Sequence, residues 1–226
     1  MEKPFIQRVE EVVTRESLSG NLVTEQKLAK LLGASRGRVR EALSVLEDKG
    51  FLVRKKKAGI KLRHISLREA VEVYDARICV EGMAARLLVG NISQQALKEL
   101  KEIDRKYNLM RKHKSPDQAA IELAGVKFHQ EMVNNCGNRY LKKMADHFHM
   151  IPMGFRLTRL ADTSRVNGNG ILLRKQHHGH EAILKALNLD NLDKAEKTVR
   201  LHIQEAKQEY ISEALGSSAL SKVITA

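Results

Sequence analysis

Apolar residues recur along this chain at helical spacing, and short polar clusters interrupt them. Phe5, Ile6, Val9, Val12 and Val13 mark an amphipathic helix over 5–17, because residues three and four apart share one face. Ser19-Gly20-Asn21 breaks it. Thr24 then offers an N-cap, and Leu28, Leu31 and Leu32 give a short second helix its apolar face. Gly33 ends that helix and Ser35 caps a third, in which Val39, Ala42, Leu43 and Leu46 follow the i, i+3, i+4, i+7 rule. Gly50 stops it. Two strand-like runs follow, Phe51–Arg54 and Ile60–Arg63, joined by Lys55-Lys56-Lys57-Ala58-Gly59. The second alternates apolar and basic residues, as a half-buried strand does.

From Ser66 the pattern is helical almost without interruption, over 66–89, 94–112, 116–135, 138–162, 171–188 and 192–215. Ser93 and Asn191 are placed to cap helices, and Ser115-Pro116 puts a cap before a proline at the first helical position. Asn135-Cys136-Gly137-Asn138 and Asn167-Gly168-Asn169-Gly170 are turn clusters, and Pro152 is expected to kink or split the helix that holds it. Short connections favour antiparallel neighbours. The expected fold is therefore mainly α. It combines an N-terminal winged helix-turn-helix over 1–65, a C-terminal antiparallel six- or seven-helix bundle over 66–215 and a tail over 216–226.

Charge sharpens this division. The 226 residues carry a net charge of +13, which favours an anionic partner, nucleic acid first among them. Residues 1–65 hold 15 Lys/Arg against 8 Asp/Glu, net +7, and the much longer remainder only net +6. Two cysteines, Cys79 and Cys136, give neither a disulfide framework nor a metal-spaced pair. The charged N-terminus lacks an apolar signal region and no run approaches a membrane span, so a cytoplasmic location is expected.

The chemistry of the first 65 residues concentrates after Gly33-Ala34. In a helix-turn-helix the second helix enters the major groove N-terminus first. Arg36, Arg38 and Arg40 occupy the opening turns of that helix, where guanidinium groups reach base edges and phosphates. The Lys55–Lys57 turn, with Lys56 at its centre, reads as a basic wing able to lie along the DNA backbone. Each feature alone is an ordinary solvated face; their order in one compact stretch points to double-stranded DNA. One recognition helix reads few bases, so a homodimer on a near-palindromic operator is expected.

The stretch Glu25-Gln26-Lys27-Leu28-Ala29-Lys30-Leu31-Leu32-Gly33-Ala34-Ser35-Arg36-Gly37-Arg38-Val39-Arg40-Glu41-Ala42-Leu43, continued by Leu46–Val53, resembles the core of the GntR family of winged-helix repressors. The resemblance implies that Ser35, Arg36, Arg40 and the wing residue Gly59 contact operator DNA. The chain departs from the family at Gln26, commonly an Arg, and at Arg38, usually a Pro.

The bundle is similar to the FCD subgroup, the FadR C-terminal-domain-like ligand-binding domains. The similar segments are Tyr74-Asp75-Ala76-Arg77 with Glu81 and Ala84-Ala85, then Lys127-Phe128-His129 with Gly137-Asn138. They continue through His180–Leu187 and His202-Ile203. The resemblance implies a divalent metal held by one Asp and three His, with a carboxylate effector completing the shell. It also implies that Arg77 faces the cavity and that the dimer contact lies in this domain. The residues themselves place His129, His180 and His202 on three separate helices. Facing helices can bring these together, and three imidazoles suit Zn, Ni or Cu better than Mg or Ca. Isolated histidines are also ordinary core or surface residues.

The family's Asp falls at Gly125 here, and Glu122, one turn earlier, is an alternative acid. His177 and His178 are expected at the surface. An i,i+4 surface ion pair with Glu81 accounts for Arg77 equally well.

The function expected is thus a sequence-specific transcription regulator, a repressor controlled by a small carboxylate effector, with Zn or Ni as the metal and His129, His180, His202 and Arg77 as effector-binding residues. It is not expected to be an enzyme. The alternative is a metal-dependent enzyme using a three-His site, against which stands the absence of paired carboxylates near those histidines and of other catalytic motifs.

Overall fold

A computed structural model describes residues 4–18, 21–55, 59–63, 66–114, 116–146, 148 and 179–215. The described residues fall into two compact units that divide between Ile65 and Ser66. No helix among them is long and apolar enough to cross a membrane.

The first unit holds α1 (Phe5–Leu18), α2 (Glu25–Leu32), α3 (Arg36–Asp48) and a hairpin of β1 (Leu52–Lys55) and β2 (Gly59–Leu62). Its core gathers Val9, Val13, Val23, Leu28, Val39, Leu43, Leu46, Phe51, Ile60 and Leu62, which are mostly the periodic positions of the sequence. Local chemistry sets the ends. Thr24 accepts from the Lys27 amide, Ser35 from the Arg38 amide, and Gly33 closes α2 at φ 59°. The strands pair antiparallel with Leu52 opposite Leu62, and Val23 adds a bridge to Ile60 on the far side. The expected strand over Ile60–Arg63 starts one residue earlier, at Gly59, because that residue pairs with Lys55. Lys56 and the rest of the wing tip lie outside the described residues.

On α1, burial pushes the Glu10 carboxyl up to about 7, against the pull of nearby Lys49. A raised acid pKa favours the protonated folded state, so this contribution is full below the unfolded value of about 4.5 and is lost as pH rises through 7. Chemical denaturation is expected to show Glu10→Gln gaining about 1–2 kcal/mol on the wild type between pH 5 and pH 8. Parallel pH profiles for the two proteins would refute this assignment.

The second unit is helical throughout its described length. It comprises α4 (Leu67–Leu88), α5 (Gln94–Arg111), α6 (Gln118–Asn134), α7 (Arg139–Asp146), α8 (Glu181–Leu187) and α9 (Leu192–Leu215). The long helices α4 and α9 pack along each other, α5 packs on α6, and α8 seats against α5 and α9. Ala84, Ala85, Val199, Ile203 and Ala206 are buried on these helices. Gly82 permits the approach, since a Cβ there would lie 2.8 Å from the Arg200 side chain.

Ser93 and Asn191 cap α5 and α9. The start of α6 differs from expectation. Its cap is Asp117, whose carboxylate accepts from the Ala120 amide at 3.1 Å, so the helix begins at Gln118 rather than at Pro116. A carboxylate at this cap also complements the positive end of the helix dipole. The expected helices over 138–162 and 171–188 are described only at 139–146 and 181–187. Pro152, the Asn167–Gly170 turn, His177 and His178 lie outside the described residues.

Candidate functional site

Three imidazoles converge inside the second unit. His129 comes from α6, His180 from the residue before α8, and His202 from α9. Their ring centroids are 5.2 Å (129–180), 5.2 Å (129–202) and 5.3 Å (180–202) apart. One ring nitrogen from each lies within 4.8 Å of the others. His129 and His180 are buried and His202 is half-buried. Folding accounts for each placement. His129 follows Phe128 on the buried face of α6. His180 stands at the N-cap of α8 but makes no capping bond, its ring being turned inward. Phe128 stacks on it at 3.8 Å and 12°.

Two carboxylates meet these rings, contrary to the expectation of none. Glu81 on α4 is fully buried, with Oε2 2.6 Å from His129 Nδ1. Asp104 on α5 lies 3.1 Å from His180 Nδ1 and also accepts from the His180 backbone amide at 2.9 Å. The expected surface pair of Arg77 and Glu81 forms, but in the interior: Arg77 Nε donates to Glu81 Oε1 at 2.6 Å, and Arg77 is only 8% exposed. Both acids sit in the buried phase of their helices. Glu81 follows Tyr74, Arg77 and Ile78, and Asp104 lies between Leu100 and Tyr107. A charged residue on an apolar stripe is the signal that the sequence offers for each.

Burial drives the electrostatics. It lowers the His129 pKa to about 4 despite Glu81, and it lowers that of His180 despite Asp104. Burial alone would raise the Asp104 carboxyl, but hydrogen bonds from the His180 ring and backbone, and from Asn108, hold it below its ordinary value. The buried imidazoles are neutral, so each keeps one lone pair. With the half-buried His202 they offer three nitrogen donors around one point, a set that could hold a transition metal. Zn–N bonds of about 2.0–2.1 Å in a tetrahedral site set ligand nitrogens roughly 3.4 Å apart, so the rings would close inward on an ion. Glu122 is not part of this cluster. Gly125 faces the Tyr107 ring, whose Cε2 would lie 3.6 Å from a Cβ there, an ordinary contact.

In the first unit α3 presents Arg36, Arg38 and Arg40 on an exposed face, with Ser35 at its cap. They differ in their surroundings. Arg38 lies over the Phe5 ring at 4.2 Å. Arg40 is held by Glu25, with Nη2 3.0 Å from Oε2, and Arg54 reaches the same carboxylate at 3.0 Å. Hydrogen bonding from Arg40 holds the Glu25 carboxyl below its ordinary range. Glu25 thus ties α2, α3 and β1 together, a role its place in the sequence motif does not reveal. Gly59 adopts φ +83° against the Val23 carbonyl.

A basic recognition helix in one unit and a buried donor cluster in the other define a two-domain DNA-binding regulator. Residues 8–62 match the bacterial regulatory proteins of the gntR family and residues 72–205 match the FCD domain, so the chain belongs to the GntR family of transcription regulators, with an FCD domain. It is 26% identical over 187 residues to the HTH-type transcriptional regulator YdhC of Bacillus subtilis (strain 168), covering 81% of this chain and 78% of that one. It is 24% identical over 197 residues to the gluconate operon transcriptional repressor of Bacillus licheniformis, covering 84% and 76% respectively. The fold is that of E. coli McbR/YncC, with a TM-score of 0.68 at 21% identity over 94% of this chain and all of that one.

Proposed function

We propose that this regulator is a homodimeric repressor whose three-histidine cluster binds a divalent transition metal, Zn or Ni, and through it a small carboxylate effector. The observation that carries the reading is the triangle of imidazoles formed by the buried, neutral His129 and His180 and the half-buried His202, from α6, the α8 cap and α9. His129, His180 and His202 would hold the ion, and the ion would supply a Lewis-acid centre for an anion. Three neutral ligands leave its double charge uncompensated in the inner shell, which favours an anion at the remaining position. The α8 cap and the α9 ladder would then respond together, since one ligand comes from each. The name of the Bacillus licheniformis relative concerns gluconate, itself a carboxylate. On the DNA side, Arg36 at the first residue of α3 and Arg40 one turn later would meet the operator, with Ser35 between the helix and the backbone phosphates.

Fluorescence anisotropy on a duplex selected by the protein from randomised DNA tests both halves. Arg36→Ala is expected to weaken binding by about 1–3 kcal/mol, roughly 5–150-fold. Zinc with gluconate is expected to shift wild-type affinity, and zinc with a neutral sugar is not. Wild-type affinity in Arg36→Ala would sink the DNA assignment. An unmoved affinity and melting temperature with zinc and carboxylates at millimolar concentration would sink the effector assignment.

A further inference from the structure

Asp104 stands on α5, a helix that contributes no imidazole, yet it is only 7% exposed. Its Oδ1 accepts from the His180 amide at 2.9 Å and lies 3.1 Å from the His180 ring Nδ1. Its Oδ2 accepts from Asn108 Nδ2 at 3.0 Å. The residue before His180 lies close against Asn108, since a Cβ at Gly179 would lie 2.8 Å from Asn108 Oδ1. A neutral imidazole has one N–H to place. With that proton on Nδ1 and shared with a carboxylate, Nε2 keeps its lone pair for the cluster.

His180 needs such a hold more than its partners do. His129 and His202 lie within helices of 17 and 24 residues, whose hydrogen bonds fix the backbone beneath them. His180 precedes a helix of only seven residues and has no capping bond of its own. Phe128 and Tyr107 limit the plane of its ring, with centroids at 3.8 Å and 5.0 Å. Stacking leaves free which edge of that ring faces the cluster. The carboxylate decides the edge.

We infer that Asp104 is the positioning residue of the histidine cluster, fixing His180 as the Nδ1–H tautomer with Nε2 available as a metal ligand. This rests on the metal-binding reading above for its consequence, though not for its geometry. Outer carboxylates of this kind orient a histidine and raise its basicity, and losing one typically costs 10–100-fold in metal affinity.

The test uses the full chain stripped of metal by chelator. Zinc affinity is measured by competition with a chromophoric chelator for the wild type, Asp104→Ala and Asp104→Asn. Long-range proton–nitrogen NMR reads the His180 tautomer in the zinc-free proteins. Asp104→Ala is expected to bind zinc about 10–100-fold more weakly and to lose the Nδ1–H preference. Asp104→Asn, whose amide oxygen can still accept from Nδ1, is expected to keep the tautomer and lose less affinity. If Asp104→Ala does not fold, the wild-type tautomer and the Asp104→Asn affinity decide. Unchanged zinc affinity in the folded variants, or an Nε2–H tautomer in the wild type, would overturn the inference. Failure of the wild type to take up zinc would instead remove the metal reading. The Asp104 assignment would then stand or fall on the tautomer alone.

Discussion

Replacing His180 and His202 together with Ala is expected to abolish stoichiometric zinc uptake and any carboxylate response, while operator affinity stays within about twofold of wild type. Two of the three nitrogen donors disappear, and one imidazole cannot retain a first-row ion against dialysis. The two changes differ in their cost to the apo protein. His180 is buried and donates to Asp104 from both its ring and its backbone. Its loss strips the ring donor from a buried carboxylate, at about 1–3 kcal/mol. His202 is half-buried, so His202→Gln is the gentler variant and is expected to lower zinc affinity without moving the unfolding transition. Elemental analysis after dialysis, paired with anisotropy on the selected duplex, reads both effects. Zinc at wild-type stoichiometry in the double variant would eliminate the cluster as the site.

The sequence makes some of this site legible and hides the rest for a physical reason. Val39, Ala42, Leu43 and Leu46 announce α3 because helix period and burial coincide within one segment. Thr24, Ser35, Ser93 and Asn191 announce helix starts because capping acts over three residues. The three histidines can be shortlisted by their helices. What they meet cannot, because it arrives from elsewhere in the chain. Asp104 and His180 are 76 residues apart. Asp104 sits in a run that includes Glu102, Arg105 and Lys106, where one more charge does not stand out; only its phase with Leu100 and Tyr107 separates it. Helical spacing pairs Glu81 with Arg77, but periodicity does not tell that the pair is internal or that His129 lies beyond it. In the first unit, Glu25 is visible within a motif, while its hold on both Arg40 and Arg54 depends on β1 folding back over α2 and α3.

Gly59→Ala is expected to cost the first unit about 2–4 kcal/mol, enough to separate its unfolding from that of the helical unit. Gly59 sits at φ +83°, where an L-residue pays about 1–2 kcal/mol for its Cβ. Space adds a second penalty, since the new Cβ would stand 2.7 Å from the Val23 carbonyl oxygen. That oxygen is backbone and already accepts from the Ile60 amide at 2.7 Å. Relief therefore requires opening the bridge between Val23 and Ile60, both buried in the core. The displacement passes directly to Thr24, which caps α2, and so to the helix pair that carries Arg36 and Arg40. The resemblance to GntR regulators implies a DNA contact for Gly59; its geometry gives it a folding requirement that would precede any contact. Gly37 is the control. It lies on the exposed face of α3, where an added Cβ would have nothing within 4 Å, so Gly37→Ala should be neutral or stabilise by up to about 1 kcal/mol. Urea denaturation of the full chain, with limited proteolysis to report which unit opens first, checks the pair. A Gly59→Ala protein whose first unit opens at the wild-type urea concentration would show that the Val23–Ile60 bridge yields without cost, and the strain argument would fall with it.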